Sequence, residues 1–77
     1  MPTLHRIRGC KIQMFAREHG VPHVHLAHEG GKAVVAVESG EVLAGTLPRD
    51  AASALDWIGR NRAQLLARWA ELQGKLR

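Results

Sequence analysis

The stretch HVHLAHEGGKAVVAVE, residues 23 to 38, has the clearest strand pattern in the chain. Residues 23 to 28 alternate between two faces, the period of two that is typical of a strand, and His23 and His25 share one of those faces. The Glu-Gly-Gly that follows predicts a tight turn, and residues 32 to 38, rich in valine and alanine, predict the returning strand. The stretch therefore predicts an antiparallel β-hairpin.

Further strands extend this hairpin in both directions along the chain. Residues 10 to 16 alternate between apolar and polar side chains, and residues 3 to 8 are a candidate for a short edge strand before them. Residues 41 to 46 predict a last short strand behind a second tight turn. Because the turns are short, consecutive strands pair with each other, and we expect an antiparallel meander of about four strands.

The C-terminal third of the chain changes to a helical period. Apolar residues recur there at spacings of three and four, which predicts helices over about residues 48 to 60 and 62 to 75 on one face of the sheet. Gly59 and Asn61 mark the expected break between them. Asn61 is the predicted N-cap of the second helix, with Gln64 as its capping-box partner.

A single continuous helix is the alternative to this break. At 1.5 Å per residue it would extend about 42 Å, which is long for so short a chain. It would also present an apolar seam through which two copies could dimerise, formed by Leu65, Trp69, Leu72 and Leu76. Two helices are favoured over one continuous helix. The predicted fold class is therefore α+β. The chain forms one domain over residues 1–77, with a β half over about 3–46 and a helical half over about 48–76.

Composition limits the classes of protein that fit. The chain has one cysteine, Cys10, which excludes an intrachain disulfide and a four-thiolate zinc site. No apolar run resembles a signal peptide or approaches the roughly 18 apolar residues of a membrane span, so we expect a cytoplasmic protein. Cys10 and Trp69 fall on apolar faces and are predicted core residues, whereas Trp57 is expected to be half exposed.

The net charge is +4, from 11 Lys and Arg against 7 Asp and Glu. A net positive charge is compatible with binding to nucleic acid or to an acidic partner. The predicted contact residues are the cations of the β half: Arg6, Arg8, Lys11, Arg17 and Lys32.

The segment from Glu18 to His25 has the highest concentration of potential metal ligands and acid–base groups in the chain. It places the imidazoles of His19, His23 and His25 and the carboxylate of Glu18 around a turn set by a glycine and a proline. Imidazoles two residues apart on a strand can converge on one metal ion, and His19 is the predicted third ligand of a zinc site. His5 is a further candidate ligand, and Glu18 is a ligand or an acceptor for a ring N–H.

Two other interpretations of this segment stay open. The imidazoles could share acid–base work in phosphodiester cleavage, with Glu18, His23 and His25 as candidate catalytic residues and nearby cations stabilising the developing charge. They could also be structural, with ring N–H groups that hydrogen-bond to the backbone of the turn.

The order of several short motifs resembles a known family. The motifs are the opening Met-Pro-x-Leu-x-Arg-Ile-x-Gly, the Glu-His-Gly-x-Pro-His-Val-His segment, the Leu43-x-Gly45-x-Leu47-Pro48 element and the helix that carries Trp57 and Trp69. Together they resemble the small bacterial family named domain of unknown function 4160, in which the position of Val24 is usually aromatic.

This resemblance implies no settled activity. Genes of the family often lie beside a second small gene, an arrangement similar to toxin–antitoxin pairs. The resemblance therefore implies a small protein partner encoded nearby. The two functional hypotheses are an interaction or regulatory protein and, as the alternative, a histidine-based metal protein or ribonuclease-type hydrolase.

Overall fold

The computed structural model describes residues 3–15, 20–47 and 51–74. Within them the chain forms five strands and then two helices, so the β half precedes the helical half as the sequence predicts. The elements are β1 (Thr3–Ile7), β2 (Cys10–Gln13), β3 (His23–His28), β4 (Gly31–Ala36), β5 (Val42–Gly45), α1 (Ala51–Arg60) and α2 (Arg62–Gly74).

The five strands form one antiparallel sheet in the order β1-β2-β3-β4-β5. The α+β meander is therefore confirmed, with five strands where about four were expected. The difference is the edge strand β1, which pairs with β2 around a two-residue turn at Arg8 and Gly9. Several predicted strands are longer than the observed ones, because strand pairing ends before the apolar alternation does: β2 ends at Gln13, although Met14 is still buried.

The register of the strands separates two faces of the sheet. Ile12, Leu26 and Ala33 lie opposite one another on β2, β3 and β4, and all three are buried. They belong to one apolar cluster that also contains Ile58 of α1 and Leu65 of α2. The helices therefore cover this face, which we call the core face, and the opposite one is the outer face.

The break between the helices falls at Asn61, as predicted, but its capping role was predicted wrongly. The Asn61 side-chain amide donates a hydrogen bond to the Trp57 carbonyl oxygen at 2.9 Å, so it satisfies the end of α1 and does not cap the start of α2. Backbone hydrogen bonds continue on both sides, from Asn61 N to Trp57 O and from Leu65 N to Asn61 O. The break is therefore a single residue between two helices.

Both predictions of buried residues on apolar faces are confirmed. Cys10 and Trp69 belong to the core, and Trp57 is half-buried. Burial raises the pKa of the Cys10 thiol above its usual value, because the charged thiolate would lose its hydration there. The polar member of the predicted helical stripe, Arg62, is exposed, and its Nε donates to the Val37 carbonyl oxygen at 3.1 Å.

Candidate functional site

The outer face of the sheet carries a row of cations, and strand register places them side by side. Arg6 of β1 lies opposite Lys11 of β2, Lys11 lies opposite Ala27 of β3, and Ala27 lies opposite Lys32 of β4. We call Arg6, Lys11 and Lys32 the basic row. All three side chains are exposed, and the small Ala27 between two of them leaves the row without a central obstruction.

No carboxylate among the described residues forms an ion pair with the basic row. Adjacent strands are about 4.8 Å apart, so Arg6 and Lys11 face each other directly, and like charges in that position are destabilising. A shallow depression of about 360 Å³ lies beside Lys11 and Ala27, with Glu29 at its rim. The exposed end of the outer face is therefore positively charged. Repulsion between its neighbouring cations lowers the free energy of unfolding.

Of the other two predicted contact cations, Arg8 is among the described residues and lies beside the row. Arg8 is exposed at the turn between β1 and β2, close in sequence to Arg6 and Lys11. Arg17 lies outside the described residues, as do Glu18 and His19. The structure thus brings together three of the five predicted cations and places a fourth at the adjoining turn.

The imidazoles of His23 and His25 lie on the same outer face, further along β3. Their ring centres are 5.3 Å apart with an angle of 64° between the ring planes. His23 Nδ1–H donates to the Val21 carbonyl oxygen at 2.9 Å, which fixes the tautomer because a carbonyl can only accept. The two rings are therefore in edge-on contact with each other.

Aromatic side chains contact both imidazoles at this end of β3. The Trp69 ring lies 4.9 Å from His23, and the Phe15 ring meets His25 edge-on at 4.8 Å. The end of α2 is held nearby, since Gln73 Nε2 donates to the Phe15 carbonyl oxygen at 3.1 Å. His23 is only 9% exposed as a result.

The other described histidines lie away from this pair. His5 lies opposite Ile12 on the core face and stacks on Trp57 with ring centres 4.5 Å apart, so it does not join His23 and His25 as the sequence analysis suggested. His28 accepts the Gly30 N–H at Nδ1 and donates from Nε2 to the Thr46 carbonyl oxygen at 2.7 Å. The described residues include no group of three or more ligand side chains arranged around one metal position.

Sequence reasoning missed the groups that hold the imidazoles in place. Trp69 was assigned to the core alone, and nothing in the local pattern connected Phe15 or the Val21 carbonyl to His23 or His25. Trp69 is 46 residues from His23, and only the packing of α2 brings the two rings together. The turn predicted at Gly20 and Pro22 was the one sequence feature that indicated a hydrogen bond between His23 and a backbone group such as the Val21 carbonyl.

These features define a class of small α+β proteins, in which two C-terminal helices cover one face of a meander sheet and the other face displays cations and imidazoles. The family model described as a domain of unknown function, DUF4160, matches residues 9–70 of the 77, and the chain belongs to this family. The match includes the imidazole segment and both tryptophans. No curated protein and no solved structure is significantly similar to the chain. Neither helix, over the part of the chain that the structure describes, is long and apolar enough to cross a membrane.

Proposed function

We propose that this chain is a non-enzymatic interaction protein whose basic row binds an acidic segment of a protein partner. The observation that carries the proposal is the register of β1 to β4, which aligns Arg6, Lys11 and Lys32 on an uncovered part of the outer face. An acidic segment laid across the row would neutralise three like charges that otherwise repel each other.

The cations of the helices differ from those of the basic row. Arg60 pairs with Asp56 at 3.0 Å and Arg68 pairs with Glu71 at 3.0 Å. The Arg62 guanidinium is bonded to the backbone. Among the described residues, these helical arginines therefore have partners within the chain, whereas the cations of the basic row form no ion pair.

An acidic protein fits the basic row better than a nucleic acid does. Proteins that bind single strands combine cations with aromatic side chains on which bases stack. The aromatic residues of this chain are Phe15, Trp57 and Trp69, and each contacts a histidine away from the row. The two-gene arrangement typical of the resembled family supports a small protein encoded nearby, as in a toxin–antitoxin-like pair, as the natural partner.

The test measures binding of a fluorescent oligoglutamate peptide by anisotropy, with a single-stranded oligouridylate of equal charge as the competing ligand class. We expect saturable binding of the peptide that weakens as salt is added, because the contacts are exposed ion pairs. Lys11→Glu places a negative charge at the centre of the row and should weaken binding about tenfold or more.

Arg68→Glu is the matched control, because it changes the net charge by the same amount on α2. Equal losses in both variants would show that overall charge, and not the basic row, determines binding. Tighter binding of the oligouridylate than of the peptide would overturn the choice of a protein partner in favour of nucleic acid.

A hydrolase that cleaves phosphodiesters is the second candidate function, and the common face of imidazoles and cations is the observation that favours it. His25 lies two residues before Ala27 on β3, and Ala27 is paired with Lys11 on one side and with Lys32 on the other. The burial of His23 argues against it, since an acid–base pair must reach its substrate. Cleavage of a fluorogenic ribodinucleotide that is lost in His25→Ala would establish it.

A further inference from the structure

We infer that the acidic segment bound by the basic row is an α-helix of a partner protein that carries its carboxylates on one face. This inference rests on the proposed function and adds the secondary structure and the spacing of the ligand. Strand pairing places Arg6, Lys11, Ala27 and Lys32 in that order across β1 to β4. Because paired strands lie about 4.8 Å apart, the four positions fall at about 0, 4.8, 9.6 and 14.4 Å across the sheet.

One face of an α-helix repeats at nearly the same interval. Residues i, i+3, i+7 and i+10 of a helix share a face. At a rise of about 1.5 Å per residue they lie at about 0, 4.5, 10.5 and 15 Å along the helix axis. Each position across the sheet therefore meets one helix residue to within about 1 Å, a difference that the long side chains of Arg6, Lys11 and Lys32 absorb.

An extended acidic segment fits the basic row less well. Its side chains return to the same face every two residues, at intervals of about 6.7 Å. When two of its carboxylates lie opposite Arg6 and Lys32, the carboxylate between them lies between the positions of Lys11 and Ala27. An extended ligand thus aligns with two cations of the row, whereas a helix aligns with all three.

The surroundings of Ala27 indicate which residue of the partner faces it at i+7. Ala27 is partly buried and borders the shallow depression, together with Gly9, Lys11, His28 and Glu29. The carboxylate of Glu29 would repel an acidic side chain there, and the depression of about 360 Å³ has room for an apolar one. The expected partner helix is therefore acidic at i, i+3 and i+10 and apolar at i+7.

A second copy of this chain does not supply such a helix. Among residues 51–74 the helices carry two carboxylates, Asp56 and Glu71, and each is paired with an arginine of its own helix. Neither described helix has three acidic residues at the required spacing. The ligand is therefore a helix of a different protein.

The experiment measures binding of three fluorescent alanine-based peptides to the unaltered chain by anisotropy. The matched peptide is a hydrocarbon-stapled helix with glutamate at i, i+3 and i+10 and leucine at i+7. The scattered peptide has the same composition and staple but has glutamate at i, i+5 and i+10, which spreads the charge around the helix. The extended peptide keeps the matched glutamates but has no staple, and prolines replace two of its alanines. We expect the matched peptide to bind at least about tenfold more tightly than either of the others.

A charge exchange tests the alignment at one position. Lys11→Glu should weaken binding of the matched peptide about tenfold or more, and a stapled peptide with lysine at i+3 should restore affinity for this variant to within about threefold of the original. Arg68→Glu changes the net charge by the same amount on α2. It should keep the preference for the matched peptide and should not prefer the lysine peptide.

The outcomes separate this inference from the proposed function. Equal affinities for the three peptides would overturn the helix, whereas loss of oligoglutamate binding in Lys11→Glu would still support the basic row. No binding of oligoglutamate or of the matched peptide would overturn both. Failure of the charge exchange would overturn the alignment of i+3 with Lys11. Circular dichroism shows whether Lys11→Glu folds, and if it does not, the comparison of the three peptides on the unaltered chain decides.

Discussion

His23 and His28 stand at the two ends of β3 and hold opposite tautomers. The Nδ1 atom of His23 must donate, because its partner is the Val21 carbonyl oxygen. The Nδ1 atom of His28 must accept, because its partner is the Gly30 N–H, and its Nε2 then donates to the Thr46 carbonyl oxygen. Hydrogen bonds to backbone groups therefore give the two imidazoles of one strand different tautomers.

We predict that metal-free protein, at a pH where both rings are neutral, contains His23 as the Nδ1–H form and His28 as the Nε2–H form. Long-range ¹H–¹⁵N spectra distinguish the two tautomers by their nitrogen shifts. His25→Ala removes the neighbouring ring and serves as an assignment control that should leave His28 unchanged. Finding the Nε2–H form at both positions would contradict the hydrogen bond from His23 to Val21.

Gly45 occupies a position where a side chain does not fit. Its φ is +82°, and a Cβ there would overlap the Lys32 carbonyl oxygen and lie 2.9 Å from the Ala33 Cα. Both contacts are backbone atoms of the neighbouring strand β4, which cannot move without breaking its pairing with β3. The Leu43-x-Gly45 motif of the sequence is thus explained by the close approach of β5 to β4.

Gly45→Ala should lower the free energy of unfolding by about 2–3 kcal/mol, of which roughly 1 kcal/mol is the left-handed backbone of a non-glycine residue. Gly40→Ala is the matched control: its φ is +75°, but a Cβ there meets no atom within 4 Å. It should lose only the backbone part, about 1 kcal/mol. Urea unfolding of both variants measures the difference, and equal losses would show that the overlap at Gly45 is relieved at no cost.

At the scale of elements, the turn between β1 and β2 is the strained connection of the sheet. Its two residues, Arg8 and Gly9, both have positive φ, 46° and 75°, as a type I′ turn requires. Gly9 suits this conformation, whereas arginine does not, since its Cβ approaches the backbone carbonyl. The strained residue is an exposed cation next to the basic row.

Arg8→Asn should raise the free energy of unfolding by about 0.5–1 kcal/mol, because asparagine tolerates the left-handed conformation. Arg8→Lys retains the charge and the strain and should leave stability unchanged. Thermal unfolding followed by circular dichroism compares the two. A gain in the lysine variant equal to that of the asparagine variant would assign the effect to something other than the turn.

The boundary between the two helices could be predicted from the sequence, but the hydrogen bond that the Asn61 side chain makes there could not. Gly59 and Asn61 indicated the break correctly, because glycine and asparagine are poor helix formers. The side chain of Asn61 can donate or accept, and local sequence gave no reason to prefer the Trp57 carbonyl over an N–H of α2. The observed hydrogen bond leaves the helical backbone nearly uninterrupted across the break.

At the scale of the whole molecule, one apolar cluster joins the sheet to both helices. Ile58 is the larger of the two α1 residues that are 1% exposed, and it shares this cluster with Ile12 and Leu26. The buried residues of the described helices, Ala54, Ile58, Leu65 and Trp69, all belong to this cluster, so helix stability depends on docking against the sheet. The two halves should therefore unfold together.

Ile58→Ala should lower the free energy of unfolding by about 3 kcal/mol, within the 2–5 kcal/mol typical of buried aliphatic truncations. The helix signal at 222 nm and the backbone amide NMR signals of β3 should still change in one coincident urea transition. Val21→Ala, at a residue that is 56% exposed, should change stability by less than about 0.5 kcal/mol. Separate transitions for the two signals would show that the helices unfold independently of the sheet.

The sheet, the two helices and the alternation of faces along each strand could be predicted from the sequence alone, because the periods of two and three-and-a-half are local properties of the chain. The sequence also placed His23 and His25 on one face, since residues two apart on a strand always share one. Only the tertiary structure decided that Arg6, Lys11 and Lys32 form a row, that His5 stacks on Trp57 and that Trp69 covers His23. Those juxtapositions depend on strand register and on the docking of helices, which are set by burial of the whole core and not by any residue's neighbours in sequence.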